Sequence, residues 1–331
     1  MTHMTCSLSD RHRPLARLRL ALAFVLAIGA GAACQSPQPS PRPLVLATGL
    51  DSGLYYLLGG TLVDIYNGGI PGVATSALST TGSGFNVRAV EDGRADLAFT
   101  QADVAYLALQ HGTRDHPSPH RQLSAIAVLY MNTVQVVALA ESNIRQLGDL
   151  QGRRVAVGAP DSGTEIAAQI ILNAHGAGDR IIQKRLVFDD LLSSMRNRTI
   201  DAGFLISSYP LPSVAQLNES VGIRLLPIDA ALASRIQAEY PFYRPAVVPA
   251  NTYENQRSEI PTIGVDNLLV CRTDLPDDLV YQLTRVFFES LPRLAQTHSA
   301  AAMIDAEQAS AAPIPLHPGA ARFYRERDLF R

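Results

Sequence analysis

Between residues 44 and 271, short apolar runs of β type alternate with stretches of helical length, and this alternation confines the chain to an α/β architecture. The runs occupy 44–47, 73–77, 97–99, 126–129, 134–140, 155–157, 186–188, 204–206, 223–227 and 263–271. Two parts of the pattern look alike. An apolar run, Asp51-Ser52-Gly53 and a helical stretch recur 110 positions later around Asp161-Ser162-Gly163. Arg94-Ala95-Asp96-Leu97-Ala98-Phe99 is echoed by Thr199-Ile200-Asp201-Ala202-Gly203-Phe204. Two lobes of related plan follow. The long runs 134–140 and 263–271 lead out of the first lobe and back, forming a two-strand hinge with a ligand cleft between the lobes. Residues 44–138 and 262–331 make up lobe 1, and 139–261 make up lobe 2.

The first residues have a different character. Arg11, Arg13, Arg17 and Arg19 precede an apolar run over 20–30, which is too short for a bilayer that needs about 20 residues. Small residues then lead to Cys34, so 1–33 reads as a signal peptide. Cys34, followed by a polar, Pro-rich stretch to Pro43, resembles the lipobox of bacterial lipoproteins. Residues 34–43 are thus expected to be a lipidated linker, and the protein an exported, membrane-anchored periplasmic lipoprotein. Gly31 stands where that motif usually has Leu, which keeps cleavage to a soluble periplasmic form open. The 28 Lys+Arg and 30 Asp+Glu of the chain lose four Arg and one Asp with the leader, leaving 24 basic and 29 acidic residues. Such a chain carries no basic stripe, and nucleic acid is not expected as a partner. Cys271, without a base or redox partner nearby in the sequence, reads as a small buried hydrophobe.

A strand end that runs into a helix presents unpaired N–H groups and the positive end of the helix dipole, which suits a small anion. Three segments offer this: Thr48-Gly49 to Gly53 with Tyr55 and Tyr56; Thr81-Gly82-Ser83 with Asn86; and Ser162-Gly163-Thr164. Gln101 directly follows an apolar run, where it would orient a ligand. Ser162 and Glu165 also fit a capping box, in which they satisfy the helix's own donors. His111, His116 and His120 lie among Gly112, Pro117 and Pro119 in a loop-like stretch, so no metal is expected, and no cofactor. No His is tied by spacing to the Gly49–Gly53 segment, and that segment does not fit G-x-S-x-G, so an enzyme is not expected.

Taken in order, these motifs resemble the TAXI-type solute receptors of tripartite ATP-independent periplasmic (TRAP) transporters. The resemblance rests on Ala47-Thr48-Gly49 with Gly53 and Tyr55-Tyr56; Thr81-Gly82-Ser83 with Asn86; Gly93 to Phe99 with Gln101-Ala102-Asp103; and Ser162-Gly163-Thr164-Glu165. Thr262 to Val265 with Asn267 to Val270, and Leu316 to Ala320 with Tyr324 and Glu326, extend it. It implies a type II periplasmic-binding-protein fold and a monomeric receptor that hands an anionic or zwitterionic solute, such as glutamate or an organic acid, to TRAP membrane subunits. Leu54 stands where the family often has Thr, Ser208 where it often has Gly, and Asp328 where it usually has Gly. The first two departures fall near the expected cleft and put glutamate in question. A ligand-sensing or scaffolding lipoprotein without a transporter is the alternative.

Overall fold

The protein is described from a computed structural model covering residues 1–2, 43–51 and 53–329. All but the first two residues of the expected signal peptide, and most of the lipidated linker including Cys34, lie outside the described residues.

One array of strands begins with β1 (Leu44–Ala47), β2 (Thr75–Leu78) and β3 (Leu97–Gln101), with β1 parallel to both neighbours. A second contains β5 (Arg154–Ala156), β6 (Ile182–Lys184) and β7 (Ala202–Ser207), with β5 parallel to both. Two long strands join the arrays: β4 (Leu123–Leu139) and β10 (Ile260–Arg272). β10 runs antiparallel between β3 and the first half of β4, while the second half of β4 runs antiparallel to β7 and to β8 (Ile223–Leu226). The strand β9 (Tyr243–Val248) pairs with the first half of β10. Apart from Met131, every residue of β4 is buried. Its two expected runs are therefore one continuous strand, covered on both faces.

The internal echo has a structural cause. The Asp96 backbone N–H donates to the Val45 carbonyl at 2.8 Å, and its carboxylate accepts the Val45 N–H at 2.9 Å. Asp201 makes the same pair of bonds to Arg154, each at 2.8 Å. In each array an aspartate thus splices the start of one strand to the approach of its neighbour.

Helices return between the strands: α1 (Leu54–Gly69), α2 (Ser83–Glu91), α3 (Ala102–His111), α4 (Gly163–His175), α5 (Phe188–Arg196), α6 (Pro212–Val221) and α7 (Ala230–Glu239). The expected run at 186–188 is no strand, because Phe188 opens α5 and β6 lies earlier, at 182–184. After β10 the chain forms two helices that meet at Ser290, α8 (Asp277–Glu289) and α9 (Leu291–Thr297), with Pro292 at the start of the second. The last helix, α10 (Pro318–Glu326), packs Phe323 and Tyr324 with Phe287 and Leu62 beneath the first array. Cys271 is buried in the same cluster, and burial pushes its thiol up, away from the reactive thiolate.

Asp103, in the first turn of α3, is fully buried and accepts a hydrogen bond from the Tyr243 hydroxyl. Burial pushes its carboxyl up to about 6, against the opposing effect of the Tyr243 bond. Since 6 lies above the unfolded value of 3.8, the folded state holds the extra proton between these values, and stability falls as pH rises through that window. The loss should amount to about 3 kcal/mol and be complete above about pH 6. Urea unfolding at pH 5 and pH 8 should therefore show the parent losing stability relative to Asp103→Asn; parallel curves would refute the assignment.

Candidate functional site

The carboxyl ends of β1, β2, β3, β5 and β7 open onto one cavity of about 480 Å³. In open α/β sheets, ligands gather at this side of the strands. The cavity lining includes Gly49, Gly53, Tyr55, Thr81, Gly82, Ser83 and Gln101 from the first array, and Ser162, Gly163 and Thr164 from the second. Ten of the sequence-expected residues thus meet at one place.

Three expected residues do not. Thr48 is fully buried, and its hydroxyl donates to the Leu78 carbonyl at 2.9 Å. Asn86, also fully buried, donates to the carbonyls of Thr48 and Phe99, both at 2.7 Å, and its amide oxygen lies 2.6 Å from the Thr80 hydroxyl. Both belong to a bolt holding β1, β3 and α2 together beneath the cavity. Tyr56 points away, 40% exposed. Its neighbour Tyr55 turns inward, stacks on Phe99 at 5.4 Å, and donates its hydroxyl to Asn267.

Asn267 also accepts from the Asn132 amide at 3.0 Å and donates to the Tyr130 carbonyl at 2.9 Å. It therefore fixes three lining residues without itself lining the cavity. Burial pushes the phenols of Tyr55 and Tyr130 well above their ordinary range, so both remain neutral donors.

Helix starts dominate the cavity's electrostatics. Helices α1, α2 and α6 begin at Gly53, Gly82 and Leu211 with no side-chain cap. The first N–H groups of α1 and α2 have no intrahelical partner, and in α6, where Pro212 has no N–H and the Val214 N–H donates to the Leu211 carbonyl, Ser213 offers one; each start carries the positive end of its helix dipole. Helix α4 differs, because the Ser162 hydroxyl accepts from the Glu165 N–H at 3.1 Å. The expected capping box is only half made: the Glu165 carboxylate accepts from the Asp161 N–H at 2.8 Å rather than from that of Ser162. The same carboxylate pairs with Arg114 at 2.9 Å and Arg185 at 2.5 Å. Burial works to raise its pKa, but these two guanidinium bonds outweigh that and hold it below the usual carboxylate range.

Beside the cavity the two arrays touch directly. The Gly84 N–H donates to the Asp161 carbonyl at 2.9 Å, and Arg88 pairs with the Asp161 carboxylate at 2.9 Å. A Cβ on Gly163 would lie 2.4 Å from the Gln101 amide oxygen, so a larger residue there would displace the Gln101 side chain. The Gln101 backbone N–H donates to the Ser83 hydroxyl at 3.1 Å, yet the Gln101 side-chain oxygen is buried with no partner.

Sequence reasoning missed Tyr130 and Asn132 on β4, Phe188 at the start of α5, the 206–213 segment beyond Ser208, and His298. Asn267 was noted only for its place in a motif. Among the described residues no group of three or more His, Cys, Asp or Glu is placed to hold a metal ion, and no helix is long and apolar enough to cross a membrane.

A model of the NMT1-like family matches residues 46–327. Among solved structures, a protein from Bordetella bronchiseptica RB50 is 16% identical and superposes over 88% of this chain and 90% of its own, with a TM-score of 0.52. A binding-protein component of an ABC phosphonate transporter from Pseudomonas aeruginosa is 12% identical over 78% of each chain, with a TM-score of 0.50. The periplasmic aliphatic sulphonate binding protein SsuA from Escherichia coli, 14% identical over 78% of this chain and 79% of its own, superposes less closely, at 0.44.

Proposed function

Because this chain belongs to the NMT1-like family and shares the two-lobe α/β fold of transporter binding proteins, we propose that it is an extracytoplasmic solute-binding receptor that serves a membrane transporter and is not an enzyme. The observation carrying this reading is the convergence of uncapped helix starts, those of α1, α2 and α6 with those of α3 and α5, on one cavity whose walls come from both sides of the β4–β10 connection. Such a site recognises negative charge by fixed dipoles and needs no catalytic group. Lobe 1 (44–138 and 262–331) holds the ligand through Gly49, Gly53, Tyr55, Ser83 and Gln101. Lobe 2 (139–261) closes over it with Ser162, Gly163 and Thr164. The β4 and β10 strands are the hinge.

The finer assignment, to the TAXI receptors of TRAP transporters, is supported by the ordered motifs from Ala47 to Tyr324. On this reading the protein is a monomer, anchored in the periplasm by lipid on Cys34, that delivers an anionic or zwitterionic solute to TRAP membrane subunits. Uptake into vesicles bearing those subunits should then need an ion gradient and no ATP; a requirement for ATP would assign it to a different transporter class.

Receptor function itself is tested by thermal shift with small acids and amino acids. A true ligand at a hundredfold excess over its Kd should stabilise the fold by about 2.7 kcal/mol. If no member of a broad panel raises the melting temperature, the receptor reading fails.

A further inference from the structure

Given that the cavity is a ligand cleft, which is the reading on which this inference rests, its chemistry narrows the ligand. We infer that the site takes a singly charged acid with an apolar body and one further hydrogen-bonding group beside the carboxylate, in the class of a hydrophobic α-amino or α-hydroxy acid. Dicarboxylates and phosphate esters are selected against.

Charge supplies the first ground. Among the described residues no Lys or Arg lines the cavity, and the one carboxylate there, Asp51, would repel a second negative group. The guanidinium groups of Arg88 and Arg114 pair with Asp115, Asp161 and Glu165, and neither Arg88 nor Arg114 contributes to this lining. Apart from His298, helix starts therefore offset the ligand's charge. Each is equivalent to roughly half an elementary charge, which suits one carboxylate. A second carboxylate would have to enter without a partner, and an unpaired charge removed from water is strongly disfavoured.

The walls supply the second. Leu50, Leu54, Leu57, Phe188, Ile206 and Leu211 surround the polar floor. Leu54, the first residue of α1, is one of the chain's departures from the TAXI pattern, and it adds to the apolar side.

Gln101 supplies the third. Its residue is only 4% exposed, no hydrogen bond among the described residues engages its amide, and the amide oxygen is buried without a partner. A buried polar group of this kind calls for a complement from the ligand, because leaving it unpaired is costly. Its place between Ser83 and Gly163 puts that demand where the helix starts of α2 and α4 meet. A carboxylate at the helix starts, with an α-amino or α-hydroxyl group next to it, meets both requirements.

Calorimetric titration at constant ionic strength can compare leucine and 2-hydroxy-4-methylpentanoate with 4-methylpentanoate, glutamate, succinate and inorganic phosphate. The first two should bind at least about tenfold more tightly than glutamate or succinate, on the scale by which pockets discriminate between close analogues. Gln101→Leu should erase the preference for leucine over 4-methylpentanoate while leaving the latter's affinity nearly unchanged. Leu54→Arg should reverse the order in favour of glutamate or succinate. Tighter binding of a dicarboxylate or phosphate by the parent would overturn the ligand class and leave the receptor reading standing. Binding of none of these, together with no response to the wider panel above, would overturn both.

Discussion

Gly84→Val should yield a folded protein that binds its ligand about five- to 150-fold more weakly than the parent. At Gly84 the first residues of α2 approach the backbone of the opposite lobe so closely that an added Cβ would lie 2.4 Å from the Asp161 carbonyl oxygen. That distance is far inside van der Waals contact, and the obstacle is backbone rather than the end of a flexible side chain. The least costly relief is for the lobes to part, which also breaks the Gly84 N–H bond to Asp161. Overpacking typically costs about 1–3 kcal/mol, and since closure and binding are coupled, the same free energy appears in Kd. Titration calorimetry with urea unfolding in parallel separates the two effects. Unchanged affinity would mean that this contact takes no part in closure.

Asn86→Ala should do the opposite, destabilising the fold while sparing the ligand. The side chain joins the carbonyls of Thr48 and Phe99 and the Thr80 hydroxyl, all of them buried among β1, β3 and α2. Truncation breaks all three bonds; the Thr80 hydroxyl still donates to the Thr48 carbonyl and accepts from the Gly82 N–H, and each group left unpaired where the site cannot relax costs about 1–3 kcal/mol. A total near 3 kcal/mol would lower the melting temperature by roughly 5 °C for a chain of this size. Well below that temperature, ligand affinity should stay within about twofold of the parent. A normal melting curve with lost binding would instead make Asn86 a direct contact.

The Asn86 result shows where the amino-acid sequence was readable and where it was not. Strand-turn-helix units were legible because their signals are local: an apolar run, a Gly-containing turn, and a helical period beginning within a few residues. Such signals located Gly49, Gly53, Ser83 and Gly163 at the mouth of the cleft. They could not show which way a side chain turns after a strand end. Thr48 and Asn86 stand beside true lining residues yet face inward, because the backbone carbonyls around them need buried donors. Tyr55 and Tyr56 are neighbours on α1, and the helical twist alone sends one into the cleft and the other to solvent.

What was missed depends on pairing across long sequence separations. Tyr130 and Asn132 reach the cavity because β4 lies against β10, and Asn267 on β10 holds them there. Nothing local to residues 130–132 carries that information. The 186–188 run was misread because three apolar residues suit a strand as well as the entrance to a buried helix. Conversely, the echo between the Asp96 and Asp201 segments was visible from sequence because each aspartate makes the same two backbone bonds in its own array. The half-made capping box shows the limit of a motif. Ser162 caps as expected, but Glu165 is drawn to Asp161, Arg114 and Arg185 by contacts that only the assembled lobes create.

Hydrogen exchange of the parent protein, with and without a saturating acid identified by thermal shift, tests the central claim most directly. Binding at the helix starts predicts slowed exchange at the amides of Leu54 and Tyr55, Ser83, Gly163 and Thr164, and Ser213, on both lobes at once, with little change on the distal turns of α8 and α10. Protection confined to one lobe, or centred instead on the α3–α4 surface around Leu107, Ile170 and Tyr240, would contradict capture of the ligand between the lobes.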